Sequence, residues 1–241
     1  MLISSIDNAK IKEIKKLETK KERDLTGLFV VEGEHLVYEA YKEGLLKTLI
    51  VRDGYPLVLD VDTIYVSDKV LKYLSSLTTP TPVLGVVLKK PFKIIGDKVI
   101  ALDNVQDPGN LGTIIRSAVA FNFDTIILSD DTVDLYNPKV IRATQGMIFK
   151  INIIVGNLAE YLIKLKEKKY EIYGTDVTSG NNIKSLEKRK KFAIIMGNEG
   201  NGLSKEIKSL CSSFIYIPMN KECESLNVAV AASIILYELN E

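Results

Sequence analysis

Two cysteines and one histidine in 241 residues leave little material for thiol or imidazole chemistry. Cys211 and Cys223 cannot build a disulfide framework, and the single His35 cannot complete a Cys/His metal cluster, so no metal is expected. Long apolar runs are missing as well. Stretches such as 228–232 fall far short of the ~20 residues that span a bilayer, so no membrane partner is expected. The N-terminus, Met1-Leu2-Ile3-Ser4-Ser5-Ile6-Asp7, lacks the basic and apolar regions of a secretory signal, and the expected location is the cytoplasm. An excess of charge of one sign is also absent, since 32 Lys+Arg oppose 31 Asp+Glu. That balance removes the simple argument from bulk charge to nucleic acid without excluding a local basic surface. What is present, 46% hydrophobic and 26% charged residues, is the composition of a folded chain with one large domain or two small ones.

The pattern suggests two. Lys89-Lys90-Pro91-Phe92-Lys93 separates the apolar run 83–88 from the next one at 99–102. A boundary at residue 95 therefore gives units 1–95 and 96–241. The first opens with a Lys/Glu-rich stretch, 8–24, that reads as an exposed helix, followed by strands at 28–32, 49–51, 63–66 and 83–88 and helices at 35–42 and 68–75. The second alternates strands (99–102, 125–128, 151–155, 170–175, 192–196, 214–217) with helices (111–121, 138–145, 158–168, 205–210, 227–239). Such alternation predicts an α/β fold with a mostly parallel sheet covered on both faces. Ligands in these folds bind where loops leave the carboxyl ends of strands.

Three segments carry more than a plain α/β domain needs. In 102–116 a strand meets a Pro-Gly turn and a helix start; Asn110 reads as a helix cap or a ligand group, and Arg116 as a surface ion-pair partner or a functional cation. In 194–204 an apolar strand runs into Gly197, Gly200 and Gly202 around Glu199, and Ser204 is placed to cap the next helix. The Gly-x-x-Gly-x-Gly spacing is neither the dinucleotide fingerprint nor a phosphate loop, and a carboxylate would repel a bare phosphate. In 215–232 a strand stops at Pro218 and a polar loop follows. Ser225 or Asn227 then caps a last helix that is apolar almost all round, so it must be wedged under other chain or sealed by a partner subunit.

In order, these segments resemble the SpoU–TrmH class of SPOUT-superfamily RNA methyltransferases. Asn110 and Arg116 match the class's Asn-x5-Arg motif. Gly197, Glu199, Gly202, Leu203 and Ser204 match Gly-x-Glu-x-x-Gly-Leu-Ser, and Ile217, Pro218, Met219, Ser225, Leu226, Asn227 and Val228 match Ile-Pro-Met…Ser-Leu-Asn-Val. The N-terminal unit is similar to the substrate-binding domain often found in this class, through Lys20, Lys21, Arg23, Gly27 and 29–33. Lys221 departs from the pattern, which commonly has a glycine near that position. The resemblance implies a parallel-sheet catalytic domain with a C-terminal trefoil knot, a homodimer whose active site joins both subunits, and S-adenosylmethionine as cofactor. It implies cofactor contacts at Thr175, Gly197, Ile217, Met219, Ser225 and Leu226. It implies catalytic roles for Arg116 at the target hydroxyl or phosphate, for Asn110 in holding the Arg116 region or the ribose, for Glu199 in orienting Arg116 or its own loop, and for Ser225 and Asn227 at the cofactor–substrate junction.

The implied reaction moves a methyl group from a sulfonium to a ribose 2′-hydroxyl. In-line orientation can supply roughly 7–11 kcal/mol of such a barrier, and a positioned base on the order of 10²–10⁴-fold in rate. An arginine is a poor base in water, so orienting phosphate and stabilising alkoxide is the role chemistry favours for Arg116. RNA must be held by local charge. Residues 1–23 contain seven Lys/Arg against four Asp/Glu, and 184–191 contain five against one. Lys20, Lys21 and Arg23 are the expected RNA contacts, with ribosomal RNA favoured over transfer RNA by analogy alone. A transfer-RNA 2′-O-methyltransferase, a non-catalytic RNA-binding or ribosome-associated protein retaining the fold, and a dinucleotide enzyme are the alternatives.

Overall fold

The computed structural model describes residues 2–91, 94–187 and 189–240. Phe92 and Lys93 of the expected boundary, and Lys188 of the basic run, lie outside them. In chain order the elements are β1 (Leu2–Ile3), α1 (Ala9–Lys16), α2 (Lys20–Thr26), β2 (Leu28–Glu32), α3 (Glu34–Lys42), β3 (Leu46–Arg52), β4 (Asp62–Val66), α4 (Asp68–Leu74) and β5 (Val83–Leu88). Then come β6 (Lys98–Leu102), α5 (Pro108–Ala120), β7 (Thr125–Ser129), α6 (Pro138–Thr144), β8 (Asn152–Gly156), α7 (Leu158–Glu167) and β9 (Glu171–Thr175). The chain finishes with β10 (Asn181–Asn182), β11 (Phe192–Met196), α8 (Lys205–Leu210), β12 (Ser213–Tyr216) and α9 (Val228–Glu238). Among the described residues no helix is long and apolar enough to cross a membrane.

Two compact units result: residues 1–91 with 136–149, and residues 92–135 with 150–241. Segment 136–149, which periodicity alone assigns to the second unit, thus packs in the first. Its aromatic residues explain this: the Phe29 ring of β2 lies 4.7 Å from Tyr136 and 6.3 Å from Phe149. Lys90 Nζ also donates to the Phe149 carbonyl at 2.7 Å.

The first unit is a five-stranded mixed sheet, β1-β4-β3-β5-β2, in which β5 runs antiparallel to both its neighbours. Ile11, Ile14 and Leu17 from the α1 region and Val70, Leu71 and Leu74 of α4 close a core over Ile50, Ile64 and Leu84. The expected single helix over 8–24 is two helices. Leu17 ends α1, and the Thr19 side chain accepts from Glu22 N to start α2. A left-handed residue then stops α2 within two turns, and Gly27 takes that conformation at φ 67° without a side-chain penalty.

This break corrects the reading of Arg23 as an RNA contact. Arg23 is only 4% exposed, and its Nη1 donates to the carbonyls of Leu17 at 2.8 Å and Glu18 at 2.7 Å. It satisfies carbonyls that the end of α1 leaves without helical partners. Lys20 is ion-paired with Asp24 at 2.6 Å, and Lys21 is exposed.

The second unit is a seven-stranded, wholly parallel sheet in the order β10-β12-β9-β11-β6-β7-β8. Strands β6, β7 and β11 are apolar almost throughout, as burial on both faces demands. One face carries Val99, Ala101, Ala193 and Ile195 against Leu158, Leu162 and Leu165 of α7 and Ile207 of α8. The alternate residues, including the fully buried Ile100 and Ile194, point to the other face. Chain order reverses beside β6: β7 and β8 extend the sheet on one side, whereas β9, β11 and β12 return on the other. The loops after β6 and β11 leave neighbouring strands at that switch, where Met196 is in register with Leu102.

Asp24 offers a check on the first unit. Hydrogen bonds from Lys20 and then Lys89 hold its carboxyl at about 2. A carboxylate depressed on folding contributes stability above its ordinary pKa and loses it as pH falls through the folded value. Carboxyl NMR should therefore show Asp24 titrating near pH 2, and Lys89→Met should move that titration upward.

Candidate functional site

The loops leaving β9, β11 and β12 enclose a cavity of about 610 Å³ in the second unit. Its wall includes Thr175 and Asp176 after β9, residues 196–203 after β11, Ile217 and Met219 after β12, and residues 224–228 leading into α9. Every residue expected to touch cofactor lies on this wall: Thr175, Gly197, Ile217, Met219, Ser225 and Leu226. The Thr175 hydroxyl is already used, donating to the Ile195 carbonyl at 2.8 Å, so that residue staples β9 to β11. Gly197 is a steric requirement. A Cβ there would stand 2.3 Å from the Gly202 carbonyl carbon and 2.5 Å from Leu203 N.

At one edge of the cavity, side chains from all three motif segments join in one hydrogen-bonded line. Asn227 caps α9, its Oδ1 accepting from Ala229 N at 2.9 Å and Val230 N at 3.3 Å. Its Nδ2 must then point away, and it donates to Asn110 Oδ1 at 3.0 Å. Asn110 Nδ2 in turn donates to Glu199 Oε1 at 3.0 Å. The Glu199 carboxylate also accepts from the backbone of Gln106 and Asp107 at 3.4 Å each. Partial burial pushes the Glu199 pKa up, but the Asn110 hydrogen bond and these backbone donors outweigh it, and the pKa lies below the ordinary glutamate value.

Asn110 can join this line because it does not cap α5. The cap is Asp107, whose Oδ1 accepts from Asn110 N at 2.8 Å, with Pro108 at the first helical position. The helix therefore begins three residues before the start expected from the sequence, and the Asn110 side chain is released toward Glu199. Asn227, by contrast, is the cap of the last helix, and Ser204 caps α8. Ser225 lines the cavity.

Arg116 stands apart. Six residues beyond Asn110, it is rotated by about 240° and displaced by about 9 Å along the helix. It is exposed, and among the described residues it makes no hydrogen bond or ion pair. His35 belongs to the first unit, with Nε2 3.1 Å from the Gln145 carbonyl of the same unit. Burial pushes the Cys211 thiol up to about 11, which makes it an inert packing group. Among the described residues no group of His, Cys, Asp and Glu could hold a metal ion.

Sequence reasoning missed Asp176 and Lys208 on the cavity wall. Asp176 Oδ1 accepts from Thr178 N at 3.0 Å and Ser179 N at 2.9 Å; these backbone donors, Thr178 foremost, lower its pKa despite partial burial. An acid immediately after a parallel strand was the available signal. Lys208 offered none, because α8 reads as an ordinary surface helix.

Residues 97–237 match the SpoU rRNA Methylase family, and residues 8–85 match the MRM3-like substrate binding domain. A curated Bacillus subtilis relative, 23S rRNA (guanosine(2553)-2′-O)-methyltransferase RlmP, is 39% identical over 98% of each chain. The AdoMet-bound rRNA methyltransferase of Sinorhizobium meliloti has a TM-score of 0.86 at 31% identity, covering 99% of this chain and 97% of that one. The SpoU methyltransferase AviRb of Streptomyces viridochromogenes, in complex with AdoMet, has a TM-score of 0.86 at 26% identity, with 97% of each chain covered.

The direction of the hydrogen-bonded line is testable through its first member. Asn227→Ala should destabilise the protein by roughly 0.5–2 kcal/mol in chemical denaturation, the usual cost of a lost cap. Asn227→Asp keeps the cap but can no longer donate to Asn110. It should hold near wild-type stability while Glu199, followed by carboxyl NMR, titrates at higher pH.

Proposed function

The chain belongs to the SpoU rRNA methylase family, and from that premise we propose that it methylates a ribose 2′-hydroxyl of ribosomal RNA with S-adenosylmethionine. The observation that carries this reading is the junction of a nucleoside-sized cavity with the Asn227–Asn110–Glu199 line. A volume of about 610 Å³ suits a cofactor of this size. The absence of a side chain at Gly197 lets the loop close back on itself at Gly202 and Leu203 to form the cavity wall, and Asp176 and Glu224 put carboxylates on the wall of a site for a cation.

When bound, S-adenosylmethionine supplies an electrophilic methyl group on a sulfonium. The protein's own contribution is orientation and proton handling. Glu199 is ionised and accepts from three donors, so it holds the segment 106–110 at the cavity edge. Asn110 and Asn227, locked in one amide orientation by the α9 cap, shape the place where the ribose enters. Arg116 pairs with the target phosphate and stabilises the alkoxide that develops as the hydroxyl loses its proton.

Arg116 does this in a second subunit's site. Its exposure and its lack of a partner among the described residues support that arrangement, as does an apolar stripe on α9, where Val230, Ile234 and Tyr237 are 48%, 38% and 67% exposed. The stripe lies on the helix that packs against α5, the helix of Arg116. The homodimer and the C-terminal trefoil knot belong to this reading. The return of α9 onto α5, the first helix of the unit, supports the knot. The first unit holds RNA, with Lys21 as its contact from the α2 cluster, and the enzyme works in the cytoplasm, where its substrate is.

Isothermal titration should find S-adenosylmethionine binding, and a tritium-transfer assay should label ribosomal RNA but not transfer RNA. Labelling of transfer RNA alone would overturn the substrate. Arg116→Ala should abolish transfer while leaving cofactor affinity nearly intact; an active variant would remove Arg116 from the reaction. Lys21→Glu should weaken RNA binding and reduce its salt slope by about 1, whereas Arg23→Ala should lower folding stability instead.

A further inference from the structure

The loop that carries Glu199 lies between two voids. Asn198, Asn201, Gly202 and Leu203 line the cofactor cavity, and the same residues line a second hollow of about 490 Å³. A loop with space on both sides is not held in place by packing along its length. Met196 and Leu203, 3% and 4% exposed, anchor the two ends, and Asn198 and Gly202 exchange backbone hydrogen bonds at 3.0 Å, so the position of the exposed turn between them depends on polar pins.

Those pins run to the segment after β6. Asp103, 8% exposed, accepts from Ser204 N through Oδ2 at 2.7 Å and donates its own N–H to the Met196 carbonyl at 2.9 Å, so it clamps both roots of the loop. In the middle, Asn198 uses all the acceptor capacity of its side-chain carbonyl and one of its donors. Its Oδ1 accepts from Gly200 N at 3.0 Å and Asn201 N at 3.1 Å, which makes the turn around Glu199. Its Nδ2 donates to the Asn104 carbonyl at 2.8 Å, which ties that turn to the neighbouring strand end. Asn104 itself sits in the left-handed region at φ 62°, a conformation asparagine tolerates, and its N–H is held by Ser129 Oγ at 2.9 Å.

We propose that Asn198 is a positioning residue for methyl transfer: by pinning its loop to the Asn104 carbonyl it sets Glu199 against Asn110. The role rests on the methyltransferase reading above and extends it to a residue outside the three motif matches. A carbonyl that faces the turn, with an amide that faces Asn104, is a job for asparagine. Aspartate would keep an acceptor for the two turn N–H groups but present an oxygen to the Asn104 oxygen. Alanine would lose both.

The test uses the full-length protein with Asn198→Asp and Asn198→Ala. Both should lower kcat about 10- to 100-fold at saturating cofactor and RNA, the usual cost of misplacing a group by about an ångström, in variants that remain folded by circular dichroism. In an Asn110→Ala background the same substitutions should cost less than about threefold, because residues acting through one contact are not additive. A readout independent of activity is the Glu199 carboxyl titration in Asn198→Ala, a variant that adds no charge. It should rise toward the ordinary glutamate value as the donors of 106, 107 and 110 are lost.

An active Asn198→Asp beside an inactive Asn198→Ala would assign the effect to the turn and overturn the pin. Additive losses in the Asn110→Ala background, or an unmoved Glu199 titration, would also overturn it. If the wild-type protein transfers no methyl group, the parent reading fails, and the titration still decides whether Asn198 positions Glu199.

Discussion

The site depends on the cap of the last helix. Two N–H groups at the start of α9 require an acceptor, and Asn227 Oδ1 supplies it. An amide has one carbonyl and one NH₂, so this single demand turns Asn227 Nδ2 outward, Asn110 Oδ1 toward it, and Asn110 Nδ2 onto Glu199. A carboxylate that must accept stays ionised, and the lowered Glu199 pKa follows. The orientation of three side chains from three distant segments is thus set by backbone groups of a helix that contains none of them.

The sheet makes this line possible. Because β11 pairs with both β6 and β9, and β12 pairs with β9, the loops after these four strands leave one edge as neighbours. Residues 89 and 117 positions apart then fall within hydrogen-bonding distance of Asn110. The cavity follows from the same arrangement, since strands ending together leave a hollow that their loops wall in. The first unit uses different means to a similar end. A buried arginine closes a helix end, and a segment from inside the catalytic sequence completes its aromatic packing.

Much of the fold was legible because apolar periodicity reports burial directly. Strand β11 and helix α8 have the bounds the pattern predicts, and the other expected strands of the parallel sheet differ by one residue at one or both ends, as happens where a ladder frays into a loop; the two-residue β10 was not expected, being too short for an apolar period. Three of the misread places share a cause. The break between α1 and α2, the start of α5 and the burial of Arg23 were all decided by which polar side chain satisfied which backbone group. Residue type restricts those pairings without choosing among them. Asn110 and Asp107 are both good caps, and three residues separate them. Arg23 and Lys21 are both cationic, and only the position of the α1 end tells a buried guanidinium from an exposed ammonium.

The sequence alone therefore determined most of the elements, the class of fold, and the three segments in which the site would lie. Each of these is local: periodicity, composition and motif spacing need no knowledge of distant partners. Only the tertiary structure decided that Asn227, Asn110 and Glu199 form a directed line, that Arg116 faces away from it, that Asp176 and Lys208 share the cavity wall, and that 136–149 packs with the N-terminal unit. Hydrogen bonds between strand-end loops depend on strand order, and strand order is set by the packing of the whole sheet. No window of sequence contains it.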